Sequence, residues 1–189
     1  MSDYGAAFYD HFSRFIGAPK ARQVFRQSEE APSIQILRYE KVFPGCAVSN
    51  SLGLSRYEEV IGEVAEVTLV TDAAIEASER ILANALFFIV QNRIQMDRGM
   101  SIAGVSKIDP GFAKEFDKEA LYFTIPYAFP MGYEKVKLPA PGTEGFVYSA
   151  MFVSRAEHDF VMAHGADAFE DLLEKKGVDP FDIKRASVV

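Results

Sequence analysis

The chain has 189 residues, of which 49% are hydrophobic, so it is long enough to bury the core of one compact domain. Its formal net charge is −7, and residues 157–182 contain eight Asp and Glu against two Lys. An acidic surface of this kind repels phosphate backbones and attracts basic partners, which disfavours direct binding to nucleic acid. We expect a single domain over residues 1–189, in which residues 1–32 form an N-terminal helical extension.

The cysteine content and the apolar runs indicate a cytoplasmic protein. The single cysteine, Cys46, cannot form an internal disulfide, which fits a reducing compartment. The N-terminal region lacks the basic head and apolar centre of a signal peptide. The apolar run Ile81 to Asn92 has 12 uncharged residues, whereas a transmembrane helix needs about 20. We therefore expect no membrane partner.

The N-terminal part of the sequence predicts a helix and a β-hairpin. Apolar residues recur at helical spacing through residues 4–16, which indicates an amphipathic helix. Apolar residues alternate through residues 33–41, which predicts a strand. Pro44 and Gly45 then turn the chain into a second strand at residues 47–51.

A strand followed by a long helix is predicted in the middle of the chain. Residues 59–71 are partly apolar on both faces, which indicates a strand inside the sheet. Asp72 is expected to cap a helix that runs to about Arg93, because its side chain can accept hydrogen bonds from the first-turn amides. Phe87 falls in the polar sector of this helix. Either another element covers Phe87, or the ring belongs to a contact surface.

Two more strands are predicted in the C-terminal half, at residues 121–125 and 145–153. The second of these strands is apolar on both faces and should be central. Between the two strands, residues 127–145 are rich in proline and predict a long irregular connection, a feature that is often functional.

The C-terminal region predicts two helices. Ser154 and Glu157 have the spacing of a capping box, which indicates the start of a helix that ends at Gly165. A second, shorter helix ends before Gly177, where lysines in the last turn and a glycine beyond it match the usual stop signals.

The histidines do not predict a catalytic or metal site. Glu157, His158 and Asp159 are consecutive, and consecutive helical residues point about 100° apart, so the three side chains cannot converge on one substrate. His158 and His164 are six positions apart, which does not place both rings on one helix face as a zinc pair requires. We expect no metal ligand among these residues.

The other local motifs also favour structural roles. Gly53 and Ser55 are similar to part of a nucleophile elbow, but Tyr57 stands where its second glycine is needed. Cys46 has no adjacent cation or histidine, so a small buried apolar residue is the simpler interpretation. No glycine-rich phosphate loop occurs in the sequence, and we expect no catalytic residue and no cofactor.

Several of these features occur in an order that resembles the suppressor-of-fused domain family over roughly residues 33–189. The resemblance rests on the segment 48–55, on Glu66 within its apolar strand, on the helix that starts at Ser154, and on the ending with Arg185 and Ser187. It implies an α+β fold with a mostly antiparallel central sheet flanked by helices. The chain looks like the short bacterial members of this family, which are thought to be immunity factors against polymorphic toxins.

The resemblance implies a protein that binds another protein and does not catalyse a reaction. A basic toxin domain, such as a nuclease, would be attracted by the acidic region at residues 157–182. Our candidate contact residues are Asp167, Glu170, Asp171, Glu174 and Phe87.

Two other functions remain open. One is a small-molecule-binding protein or enzyme with a pocket under residues 127–145, where Tyr127, Tyr133 or Glu134 would supply polar contacts. The other is an intracellular signalling adaptor, which the sequence does not separate from an immunity protein. The identity of the partner and the oligomeric state are not predicted.

Overall fold

The computed structural model describes residues 4–72 and 75–189. Its strands are β1 (Ala21–Phe25), β2 (Ile34–Glu40), β3 (Cys46–Leu52), β4 (Ala65–Asp72), β5 (Ser101–Ala103), β6 (Ala120–Thr124), β7 (Lys135–Lys137) and β8 (Glu144–Val153). Its helices are α1 (Tyr4–Ile16), α2 (Glu58–Ile61), α3 (Glu76–Gln91), α4 (Val105–Ile108), α5 (Pro110–Phe116) and α6 (Arg155–Lys176), and a 3₁₀ turn spans Leu54–Tyr57.

Within these ranges, eight strands form one sheet. Its order is β1-β2-β3-β4-β8-β6-β5, and β7 pairs with β8 outside this path. β4 and β8 are parallel, and the other neighbouring strands are antiparallel. The α+β fold with a mostly antiparallel sheet is confirmed, and β4 lies inside the sheet, as its apolar faces predicted.

Helices cover both faces of the sheet. On β6, Leu121 and Phe123 point to the first face and pack in a core with residues of α3, α4 and α5. Tyr122 lies between them and points to the second face, where it packs with Phe169 of α6. Another part of the second face packs against α1. The alternation along each strand therefore places α3 and α6 on opposite sides of the sheet.

Several local predictions are confirmed. Phe8 and Phe12 of α1 are fully buried, and β2 and β3 form the predicted antiparallel hairpin. Ser154 and Glu157 form a complete capping box at the start of α6. Gly165, with φ 84° and ψ 177°, breaks the helical conformation and kinks α6 where two separate helices were predicted.

The structure corrects the N-terminal prediction in two places. β1 lies inside the segment predicted as a helical extension, and it pairs with β2 along its length. β1 is mostly exposed at the edge of the sheet, so its sequence carries no apolar alternation that would mark a strand. The strand predicted from residue 59 starts only at Ala65, because residues 54–61 turn through a 3₁₀ segment and α2 instead.

The prediction that Asp72 caps the long helix is wrong. Asp72 ends β4, where its amide donates to the Phe181 carbonyl (3.0 Å) and its carboxylate accepts from the Ile183 amide (3.1 Å). The residue at the cap position of α3 is Ile75, which makes no side-chain capping bond.

The segment 178–189, here called the C-terminal strap, returns across the ends of the strands. Ile183 is buried in the core on the first face. The Lys118 ammonium donates to the Arg185 carbonyl (2.8 Å), and the Arg185 guanidinium enters the interior beside Glu157. The strap thus joins the end of β4 to the start of α6. None of the described helices is long and apolar enough to cross a membrane.

Candidate protein-binding surfaces

The four predicted acidic contact residues all lie on the C-terminal half of α6, but they have different environments. The Asp167 side chain is 85% exposed, and it accepts a hydrogen bond from Arg98 (2.8 Å). Asp171 and Glu174 are exposed, and neither carboxylate has an ion-pair partner in the part of the chain that the structure describes. Because they are three positions apart, Asp171 and Glu174 share one helix face.

Glu170 is a structural residue of this helix. Its carboxylate accepts hydrogen bonds from the Tyr122 hydroxyl (2.7 Å) and the Thr124 hydroxyl (2.6 Å), and it is paired with Arg98. Burial alone would raise the pKa of the Glu170 carboxyl, but the hydrogen bonds from Arg98, Thr124 and Tyr122 lower the pKa below its ordinary value. Glu170 therefore holds α6 against β6, and its oxygens are already occupied.

Arginines outside residues 157–182 pair with carboxylates of this segment and reduce its negative charge. Arg98 pairs with both Asp167 and Glu170, Arg155 pairs with Asp159, and Arg185 pairs with the buried Glu157. These three arginines change the formal charge of this surface from −6 to −3. The remaining negative charge is concentrated at Asp171, Glu174 and the carboxylates that follow α6. No local pattern marks Arg98 as a partner, because it is 69 residues from Asp167.

Glu157 and Arg185 form an ion pair in the interior, where both side chains are buried. Arg185 approaches both carboxylate oxygens, with nitrogen–oxygen distances of 2.5 and 3.1 Å. Glu157 also accepts from the amides of Ser154 (2.8 Å) and Val188 (3.0 Å). Burial raises the pKa of the Glu157 carboxyl, but the bonds from Arg185 and these amides outweigh burial, and the pKa lies below its ordinary value. The capping role of Glu157 was predicted from the sequence, whereas its pairing with Arg185 was not.

Glu66 is fully buried under the turn that carries Gly53. Its two oxygens accept from the hydroxyls of Ser51 (2.5 Å) and Ser55 (2.8 Å) and from the amides of Gly53, Leu54 and Ser55. Burial raises the pKa of the Glu66 carboxyl, and the hydrogen bonds act in the opposite direction. This contact explains why the chain leaves the extended conformation after β3, because the turn wraps around one carboxylate.

Phe87 is covered, which was the first of the two alternatives for this residue. Its side chain is 6% exposed, whereas the next residue, Phe88, is 45% exposed. The exposed positions of α3 follow Arg80 and Asn84 at intervals of four, and that interval continues to Phe88. Phe88 is therefore the aromatic ring on this surface. It lines a groove of about 620 Å³ together with residues of β1, β5 and α4.

The residues proposed for a small-molecule pocket do not converge on a cavity. Tyr133 is fully buried, and its hydroxyl lies 2.9 Å from both the Asn50 amide nitrogen and the Thr68 hydroxyl. Glu134 accepts a hydrogen bond from the Gly132 amide (3.0 Å). Tyr127 lies at the surface. The segment 127–145, which contains β7, packs Phe129 and Tyr133 against α1 and the sheet.

The structure does not assemble a proton-transfer site around His158. The imidazole Nδ1 lies 2.8 Å from the Ser101 hydroxyl, and burial lowers the pKa of His158. Asp159 is paired with Arg155 (3.4 Å), so it does not orient the ring. Cys46 is half-buried, and burial raises the pKa of its thiol, which weakens it as a nucleophile. Among the described residues, no group of three or more His, Cys, Asp or Glu is placed to hold a metal ion.

Comparisons with known proteins agree with this architecture. A family model described as suppressor of fused protein matches residues 30–186. The immunity protein YqcF of Bacillus subtilis (strain 168) is 29% identical over 183 residues, which covers 93% of this chain and 91% of that protein.

Two solved structures have the same fold. A putative suppressor of fused homolog from Neisseria gonorrhoeae FA 1090 matches with a TM-score of 0.75 and 17% identity, over 99% of this chain and 97% of that chain. A chain of the Sufu-Fu complex matches with a TM-score of 0.72 and 13% identity, over 97% of this chain and 91% of that chain.

Proposed function

This chain belongs to the suppressor of fused protein family, and from that premise we propose that it is an immunity protein that binds and neutralises a toxin protein. The observation that carries the proposal is the similarity to a protein named as an immunity protein, which extends over nearly the full length of both chains. The proposal treats residues 1–189 as one domain that acts in the cytoplasm.

A binding role without catalysis is supported by how three carboxylates that lie between elements of the fold are used. Glu66, Glu157 and Glu170 each accept three or more hydrogen bonds from the chain's own groups. A general acid or base needs an oxygen that can reach a substrate, whereas these oxygens hold turns, a helix start and the strap. The perturbed pKa values of these three carboxyls are thus explained by their roles in folding.

We place the toxin-binding surface on the outer face of the C-terminal half of α6. Asp171 and Glu174 are its exposed, unpaired carboxylates, and Asp167 lies one turn earlier beside Arg98. A basic toxin domain would be steered to this face, because complementary charge raises the association rate at low salt. Glu170 supports this surface from within and is not a contact residue in this proposal.

Co-expression tests the function directly. The protein is produced together with the toxin encoded next to its gene, and growth and co-purification are measured. We expect the cells to survive and the toxin to co-purify with the protein in a stable complex. Cell death despite soluble protein, or survival without any complex, would contradict neutralisation by binding.

Charge reversal tests the surface separately from the function. The double variant Asp171→Lys with Glu174→Lys should slow association with a basic toxin by about tenfold at low salt, and the difference should shrink at high salt. The double variant Glu76→Lys with Glu115→Lys is the matched control, since it makes the same change in net charge and both carboxylates are exposed on helices, α3 and α5, at the opposite face of the sheet. Equal association rates for the two double variants would move the interface elsewhere on the protein.

A further inference from the structure

A groove runs along the outer side of α3, on the face of the sheet opposite α6. It has a volume of about 620 Å³ and is bounded by the end of β1, by α3 and by the segment from β5 to α4. Its lining extends along α3 from Arg80 to Gln91, which is 11 positions and about 16 Å of helix axis. We call this feature the basic groove.

The charges along the basic groove are all positive. Arg26, Arg80 and Lys107 line it, and no Asp or Glu does, although the chain as a whole has a net charge of −7. Arg80 is paired with Asp109 (2.6 Å). Arg26 and Lys107 have no ion-pair partner within the described ranges, so their charges are available to a ligand.

The floor of the basic groove is apolar. Phe87 and Leu121 lie at its base and belong to the core on the first face of the sheet. Phe88 stands at its edge with 45% of its side chain exposed, beside the polar side chains of Asn84 and Gln91. An apolar floor with a charged and polar rim is the usual arrangement of a surface that binds another chain.

We propose that the basic groove binds an acidic, amphipathic helical segment of a protein partner. The length of the groove along α3 matches about three turns of a helix, whose apolar side chains would lie against Phe88 and the floor. Carboxylates on the edges of that segment would pair with Arg26 and Lys107. This site is separate from the acidic surface of α6, so the protein has two binding faces of opposite charge.

A peptide-binding experiment tests the proposal. The probe is a fluorescein-labelled peptide of 15 residues with leucines on one helical face and glutamates beside them, and its counterpart carries lysine in place of each glutamate. Fluorescence anisotropy with the intact protein should show binding of the acidic peptide that weakens with salt, and binding of the lysine peptide at least about tenfold weaker. Equal binding of the two peptides would overturn the proposal, as would no binding of the acidic peptide.

Single substitutions locate the binding site. Lys107→Glu and Phe88→Ser should each weaken binding of the acidic peptide by about tenfold, because one removes a charge partner and the other removes the exposed ring. Lys176→Glu is the control, since Lys176 is exposed in the last turn of α6. Circular dichroism should show the same fold for all three variants. If the control weakens binding as much as the groove variants, the acidic peptide binds elsewhere and the proposal is wrong.

Two further measurements with the same variants would detect other occupants of the basic groove. Binding of sodium dodecanoate that depends on Lys107 and Phe88, without binding of the acidic peptide, would show a site for small amphiphiles and overturn the proposal. Sedimentation velocity that shows a dimer dissociated by Phe88→Ser would show a second copy of the chain in the groove, with the same consequence.

Discussion

Replacement of Arg185 by alanine should destabilise the protein strongly. The guanidinium is 4% exposed and the Glu157 side chain is fully buried, so the substitution leaves a carboxylate in the interior without its cation. Removing one partner of a buried ion pair costs about 3–5 kcal/mol. Total folding free energies of domains are about 5–15 kcal/mol, so this one change should remove a large fraction of the stability.

A second arginine of the same region gives a matched control. Arg155 pairs with Asp159 one turn apart on α6, but the two side chains are 64% and 63% exposed. Exposed pairs at this spacing contribute at most about 0.5 kcal/mol. Arg155→Ala should therefore leave the stability nearly unchanged, although it is also a replacement of an ion-paired arginine by alanine.

Urea denaturation followed by circular dichroism compares these variants. With a slope of about 2 kcal/mol/M, Arg185→Ala should lower the transition midpoint by roughly 1.5–2.5 M, and Arg155→Ala by less than about 0.3 M. Arg185→Lys should lie between them, because lysine keeps the charge and loses the two-pronged contact. It is also a usable variant if Arg185→Ala does not fold. A loss below about 1 kcal/mol for Arg185→Ala would refute the assignment of Arg185 as the cation that Glu157 requires.

The same ion pair predicts a dependence of stability on pH, and two other sites predict differences in stability between variants. The pKa of Glu157 is lowered in the folded protein, so the stability from its ion pair is present above its ordinary pKa of 4.5 and is lost as the pH falls below that value. Urea midpoints should therefore drop from about pH 5 to about pH 3, with a shallower drop in Glu157→Gln, and equal slopes would contradict this. Tyr133→Phe removes a doubly hydrogen-bonded hydroxyl and should cost about 1–2 kcal/mol, whereas Tyr39→Phe, whose buried hydroxyl has no partner among the described residues, should cost nothing. Equal midpoints for these two tyrosine variants would show that the hydroxyl contacts do not matter. Gly53→Ala places a Cβ 2.6 Å from a backbone carbonyl oxygen, and thermal melting should show a cost roughly 2 kcal/mol above that of Gly142→Ala, whose Cβ meets nothing within 4 Å. A smaller difference would mean that the turn at Gly53 shifts easily.

The elements with strong periodic patterns could be predicted from the sequence. The apolar stripe of α1, the hairpin of β2 and β3 and the capping box of α6 were all recognised because each is encoded within a few neighbouring residues. β1 was missed because it lies at the exposed edge of the sheet and gains its conformation from pairing with β2. A turn at Gly53 and Ser55 was expected, but its cause was not, because Glu66, the carboxylate around which the turn is formed, comes 11–15 residues later.

On the candidate surfaces too, features formed by neighbouring residues could be predicted and those formed by distant residues could not. The run of acidic residues on α6 is visible in the sequence, but the arginine that pairs with Asp167 and Glu170 is distant in sequence and could not be identified there. The exposed ring of α3 could have been found, since Phe88 continues the interval of four that starts at Arg80. The basic groove brings together β1, α3 and α4, and its charge is visible only after folding.

The contact between Glu157 of α6 and Arg185 of the C-terminal strap can form only late in protein synthesis. Glu157 is translated 28 residues before Arg185, so its carboxylate must stay in water until the later segment leaves the ribosome. At about 5–20 residues per second, this delay lasts roughly 1–6 s. Throughout that delay β8 and the start of α6 lack the contact that closes them, and the nascent chain exposes apolar surface that chaperones can bind.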